Sequence, residues 1–197
     1  MNIRTQVKFC HAHKKNSAQN EWIENGYPTI DWNGLDARLT EHHSYIKSLL
    51  NEVSSHYRNI LHKQVRTGKN RTLLQAIQNS DTLTPGYYGP RGLEAMSENI
   101  MKKFSPYLRT IAVTDRLVAA RGVPGYVQSV LVPELAVRLI SEDMKCGVEE
   151  ARQIMRDSAG LGDLLNEEVE DVVVWNGEEQ VVDLTQGHEV VDLTRED

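Results

Sequence analysis

YVQSVLVPELAVRLISEDM, from Tyr126 to Met144, is the stretch that decides the fold. Its apolar side chains fall on more than one side of a helix, so it predicts an element buried on several faces and not a surface helix with one apolar stripe. Pro133 leaves two readings, a kinked helix or a helix with proline in its first turn. A helix start near Val132 is favoured, with residues 126–131 helical or extended. Cys146 and Gly147 close the element. Val148, Ala151, Ile154 and Met155 then space a short helix that ends in the glycine-containing DSAGLGDLLN.

Working towards the N-terminus, Leu93, Met96, Ile100, Phe104 and Leu108 keep helical spacing from Gly92 to about Ala112, and Pro106 is expected to end or bend that helix. ARGVPG, at 120–125, reads as a loop. SDTLTPGYYGPRG, at 80–92, is dense in proline and glycine and predicts a compact shaped turn. RTLLQAIQ, at 71–78, supplies about two helical turns after the break at TGKN. Leu35, Leu39, Ile46, Leu49, Leu50, Val53, Tyr57, Ile60 and Leu61 recur at steps of three and four, the stripe of an amphipathic helix that Asp31 or Asn33 can cap. Met1 to Pro28 is polar and without helical periodicity. It reads as a loop or the remnant of a small metal module.

With 197 residues, 40% of them apolar, the chain can bury one core of ordinary size. The expected fold is mainly α, with α+β carrying a small β element as the alternative: a single compact helical domain followed by a disordered acidic tail. From Asp163 onward lie 12 of the 28 acidic residues but only Arg195 of the 22 lysines and arginines, which leaves the body at +5 and the tail at −11. Such a division separates a folded part from a solvated interaction tail. No apolar run reaches the roughly 20 residues of a membrane span, and the first residues lack a signal-peptide core, so nucleus and cytoplasm are the expected locations, with no membrane partner. Cys10 and Cys146 are expected as reduced thiols.

The tail repeats one pentapeptide, Val181-Val182-Asp183-Leu184-Thr185 and Val190-Val191-Asp192-Leu193-Thr194. A β-branched run flanked by carboxylates can add an edge strand to a partner sheet while its acids meet a basic rim. The pattern resembles a SUMO-interacting motif, which implies SUMO or a SUMO-modified protein as partner and Val181, Val182, Asp183, Leu184, Val190, Val191, Asp192 and Leu193 as its binding residues. Val172 to Trp175 is a weaker third copy. The alternative is structural, with the two pentapeptides paired as a hairpin or one of them added to the body.

In the body, Tyr87, Tyr88 and Arg91 are candidates for a protein-binding loop, since rigid aromatics with arginine make interface anchors. Their alternative is a turn whose tyrosines pack on the core and whose glycines supply positive φ. Arg58, His62, Lys63, Arg66, Lys69 and Arg71, with Lys102 and Lys103, form a basic run that suits phosphate, making nucleic acid the second partner class. His42 and His43 point in different directions on a helix, and Glu134, Glu142 and Asp143 most simply cap or line helix faces. No nucleophile and base, metal set or phosphate cradle stands out, so no enzyme is expected.

GYYGPRG at 86–92, SVLVPELAVRLISEDM at 129–144, the following VEEARQIMRDSAGLGDLLNEE and, upstream, YPTIDWNGLDARL at 27–39 together resemble the C-terminal domain of the fungal restriction of telomere capping protein 4 family. The resemblance implies a nuclear or cytoplasmic domain linked to telomere capping, with no known reaction. It divides the chain into 1–26, a Cys/His remnant or polar arm, 27–165, the helical domain, and 166–197, the acidic tail. It also implies that Cys10 and His13 correspond to the second half of a zinc site whose first Cys-x-x-Cys pair is missing. Two ligands cannot close a tetrahedral site, so no cofactor is expected unless His11 and a further residue complete the set. The expected function is a non-enzymatic nuclear interaction or adaptor domain with a SUMO-binding tail. The alternative is a chromatin or nucleic-acid-associated protein using the basic face.

Overall fold

The computed structural model describes residues 3–51, 55–67 and 84–167, with side chains from residue 12 onward. Among the described residues there is no strand, so the mainly α reading holds and the small β element is not found there. The helices are α1 (Ile3–Glu24), α2 (Leu35–Glu41), α3 (His43–Asn51), α4 (His56–Thr67), α5 (Gly89–Ile111), α6 (Arg116–Tyr126), α7 (Val132–Met144), α8 (Val148–Asp157) and α9 (Ala159–Leu165). A 3₁₀ turn, Gly86–Tyr88, precedes α5, and a π-helical segment, Val127–Leu131, joins α6 to α7. RTLLQAIQ at 71–78 and the repeats of the tail lie outside the described residues.

α7 is the axis of the core. Tyr126, Val127, Val130, Leu131, Val132, Leu135, Ala136, Val137, Leu139 and Ile140 are all buried, as a helix apolar on most sides requires. Pro133 stands in the first turn of α7, which starts at Val132, so the favoured reading of the helix start holds. This proline comes just after the π-helical segment, whose wider turn accommodates a residue that has no N–H to give the ladder. The predicted loop ARGVPG is a single break at Gly122 (φ 73°, ψ 162°), and Pro124 lies in the first turn of the helix that resumes. Pro106 does not end α5. It sits on the exposed side, where the carbonyl it leaves unpaired can meet water.

The long stripe after Asp31 is divided between α2, α3 and α4, with Ile60 half-buried against the core and Val53 outside the described residues. Leu35, Leu39, Ile46, Leu49, Leu50, Tyr57 and Leu61 are all in the core. Asp31 opens the segment, its carboxylate accepting from the amides of Asn33 and Gly34, both at 3.1 Å. The N-terminal segment corrects the sequence reading: in place of a loop it forms α1, 22 residues long. Its helix formers run without proline or glycine until Gly26 (φ 68°). Ala18 is buried, and Trp22 packs edge-on against Tyr27 and Tyr87, at 5.7 and 5.6 Å between ring centroids.

Candidate interaction site

Two arginine, carboxylate and tyrosine clusters mark opposite ends of α5. At its start, the GYYG turn drives Tyr87 and Tyr88 inward. Gly86 and Gly89 hold φ of 60° and 62°, and their backbone meets Gly162 so closely that a Cβ on Gly162 would stand 2.1 Å from the Gly86 carbonyl oxygen. Asn166 closes the contact. Its Nδ2 donates to the Tyr87 carbonyl at 2.6 Å, and its carbonyl accepts from the Arg91 amide at 3.1 Å. Tyr87 and Tyr88 stack at 5.0 Å and are 0% and 1% exposed, so they fill the core instead of presenting an interface.

Both tyrosine hydroxyls donate to Asp143, at 2.7 and 2.5 Å, and Arg38 pairs with the same carboxylate at 2.7 Å. Arg38 also donates to the Leu139 carbonyl at 3.1 Å and to Tyr88 Oη at 3.2 Å. Burial above all, together with the charge of Asp143, pushes both tyrosine pKa values well above the ordinary range. A half-buried carboxylate with two hydroxyl donors and a guanidinium is satisfied, and in this setting it holds α2, the 3₁₀ turn and the end of α7 together.

Glu134, only 4% exposed, is a helix cap drawn from another element. Its carboxylate accepts from the Tyr57 amide at the start of α4 (3.0 Å) and from Tyr45 Oη (3.3 Å). Burial first, then the Glu134 charge, pushes Tyr45 up to about 12. His42 is buried with Nε2 3.3 Å from Glu142, within ion-pair reach but off the line of a hydrogen bond, and His43 Nε2 meets Asn99 Oδ1 at 2.8 Å. The two histidines do point apart, and each has its own neighbour.

At the far end of α5, Arg58 donates to Asp115 at 2.5 Å and to Tyr126 Oη at 2.7 Å. Asp115 also caps α6, accepting from the amides of Leu117 (2.8 Å) and Val118 (3.3 Å). Burial raises the Asp115 pKa, but the hydrogen bonds from Arg58 and the two amides outweigh it and leave the carboxyl below its ordinary value. This cluster floors an open hollow of about 750 Å³ lined by Arg58, Asn59, His62, Val65 and Arg66 of α4 and by Thr114 to Leu117.

The structure therefore brings Arg58, His62 and Arg66 of the basic run to one surface and adds Arg116, which the sequence reading passed over. Lys63, Lys102 and Lys103 do not line the hollow, while Lys69 and Arg71 lie outside the described residues. Asp115 and Arg116 were legible in principle, because Thr-Asp-Arg before an apolar-periodic run is a helix-start signal. Arg91 is separate from the buried tyrosines. It stacks over Trp32 at 4.3 Å and borders a smaller hollow of about 250 Å³ with Asp36, Glu94 and Glu98. His13 is exposed on α1, and the side chain of Cys10 lies outside the described residues, as do the eight tail residues from Val181 to Leu193 that carry the SUMO reading.

Helices gathered on a buried central helix, with polar side chains that tie elements to one another, define an all-α domain. The chain belongs to the RTC4-like domain family, restriction of telomere capping 4, whose model matches residues 50–167, more than half of its length. The match spans α4 to α9, including the GYYG turn, the central helix and Asn166. No curated protein and no solved structure matches the chain.

Proposed function

We propose that this chain is a non-catalytic nuclear interaction domain with a role related to telomere capping, whose body docks a protein partner and whose tail takes SUMO or a SUMO-modified protein. The observation that carries the body's part is the use made of its inward-facing polar groups. Asp143, Glu134 and Asp115 each bond to backbone amides or to side chains of another element, as structural cross-links do. The open surface, by contrast, is a basic hollow suited to recognition by charge. The tail's part rests on the repeated Val-Val-Asp-Leu-Thr among carboxylates. Two such sites on one segment would gain affinity from a multivalent partner through effective concentration.

The test is a titration of isotope-labelled SUMO with the full chain and with a variant carrying Val181, Val182, Val190 and Val191 changed to Ala. Saturable shifts on the SUMO groove that vanish with the variant are expected. SUMO resonances that stay put at millimolar chain would end the tail reading. A second reading, association with nucleic acid, is favoured by His62, Arg66 and Arg116 on one face. It requires DNA retention that falls steeply with salt, and retention that is absent or indifferent to salt would remove it.

A further inference from the structure

The hollow between α4 and the start of α6 is not lined by charge alone. His62 and Arg66 stand one helical turn apart and exposed on α4, Arg116 faces them from the first turn of α6, and Val65 and Leu117 sit among them. Asp115 is the acid in the lining, and its carboxylate is already paired with Arg58. The open charge is therefore that of Arg66 and Arg116, with His62 adding to it when protonated. A lining that mixes cations with aliphatic side chains complements a peptide that mixes carboxylates with aliphatic side chains. Among the described residues its lining has no flat aromatic ring of the kind on which single-stranded nucleic acid stacks, other than His62. Its volume falls in the range of about 300–1,000 Å³ that suits a small ligand or a few peptide residues.

Such a peptide is present in the same chain. The segment from Val181 to Asp197 alternates Val-Val-Asp-Leu with further acids, and it belongs to a tail of charge −11 joined to a body of charge +5. Its tether reaches. Asn166 and Glu167 are anchored at the start of α5, by Arg91 and Lys15, while the hollow lies at the other end of that 23-residue helix, about 35 Å away. Extended chain from Glu167 spans about 45 Å to Val181 and about 75 Å to Val190, so the second repeat arrives with slack even over a curved surface. A tethered ligand has an effective concentration in the millimolar range, so a weak site is enough.

We propose that the α4–α6 hollow is a docking site for the chain's own acidic and aliphatic segment, residues 181–197, with the second repeat as its main occupant. Arg66 and Arg116 take its carboxylates, and Val65 and Leu117 meet its valines and leucine. Docking would hold the repeat on the body until a partner with a stronger claim on the tail, or on the hollow, displaces it.

The test uses the full chain, labelled for amide NMR, in three forms: wild type, Arg66→Glu with Arg116→Glu, and Val190→Ala with Val191→Ala, Asp192→Asn and Leu193→Ala. In wild type, raising the salt from about 50 to about 500 mM should move the amides of residues 62–66 and 114–117 together with those of 190–194, because attraction between exposed charges is screened. The charge reversal should place the tail amides at their high-salt positions already at low salt, with the core amides unmoved as the check of folding. The tail variant should do the same to the hollow amides. Tail amides that are indifferent to the charge reversal would overturn the proposal. So would hollow amides that respond to an added DNA oligonucleotide but not to the tail variant, an outcome that assigns the hollow to nucleic acid. No SUMO is present in the experiment, so a failed SUMO titration leaves this result intact, and the reverse holds as well.

Discussion

The two ends of α5 use the same three side-chain types for different purposes. At the start, Arg38, Asp143, Tyr87 and Tyr88 form a cluster between α2, the 3₁₀ turn and the end of α7, whose tyrosines are buried while the Asp143 and Arg38 side chains are 13% and 32% exposed. At the far end, Arg58, Asp115 and Tyr126 form an equally short network that is the floor of an open hollow. In the first cluster the two tyrosines are sealed in the core and Arg38 reaches the surface, which makes it a joint between elements. Openness leaves the second able to fix a surface while neighbouring Arg66 and Arg116 face outward. The difference lies in what stands above each cluster, not in its chemistry.

Several changes would break or sharpen that contrast. Asp143→Ala has the largest expected effect, since it removes the acceptor of two buried tyrosine hydroxyls and one partner of Arg38, which keeps Glu142 and the Leu139 carbonyl. A loss of about 2–4 kcal/mol in denaturant unfolding is expected, as for two buried hydroxyls deprived of their acceptor, and a loss under 1 kcal/mol would show that the cluster is not a joint. Gly162→Ala tests the seal itself. Its Cβ would meet backbone that cannot swing aside, so a cost of about 1–3 kcal/mol or more is expected.

Acid titration addresses the open cluster. The Asp115 pKa is depressed on folding, so its contribution is present above the ordinary aspartate range and is lost as pH falls through that range to the folded value. Between pH 7 and pH 3 the urea midpoint should fall less in Asp115→Asn than in wild type. Parallel curves would mean that Asp115 titrates alike in the folded and unfolded chain. The smallest effect is expected of Tyr57→Phe. This hydroxyl is buried and has no hydrogen-bond partner among the described residues, so its removal should be neutral or stabilising by up to about 1 kcal/mol in the same unfolding assay. A clear destabilisation would imply a partner for it in solution.

Much of the fold was legible because burial leaves a periodic trace. The stripe from Leu35 to Leu61 and the one from Met96 to Leu108 identified core residues even where the helix boundaries moved. α1 left no such trace, since its apolar residues keep no helical stripe, and among the described side chains it docks through Ala18, Trp22 and the Lys15–Glu167 pair. The two prolines differ in this respect: Pro133 marks the first turn of α7 as its position before an apolar-periodic run suggests, whereas Pro106, a breaker by local rule, lies on the solvent side of α5, a circumstance not written in the neighbouring residues. Of the candidate site, Arg58, His62 and Arg66 could be read as basic, whereas Arg116 joins them only because α6 folds back beside α4.

By itself the sequence determined the helical class, the family, the division of charge between body and tail, and the buried stripes of α2 to α5 and of α7, because each depends on composition, order or local spacing. Only the tertiary structure decided that Tyr87 and Tyr88 are core and not interface, that Glu134 caps a helix 77 residues upstream, and that the basic run opens into a hollow with Arg116. These outcomes depend on which partner a polar group meets across the fold. Desolvation makes that partner essential, and a residue's neighbours in sequence do not name it.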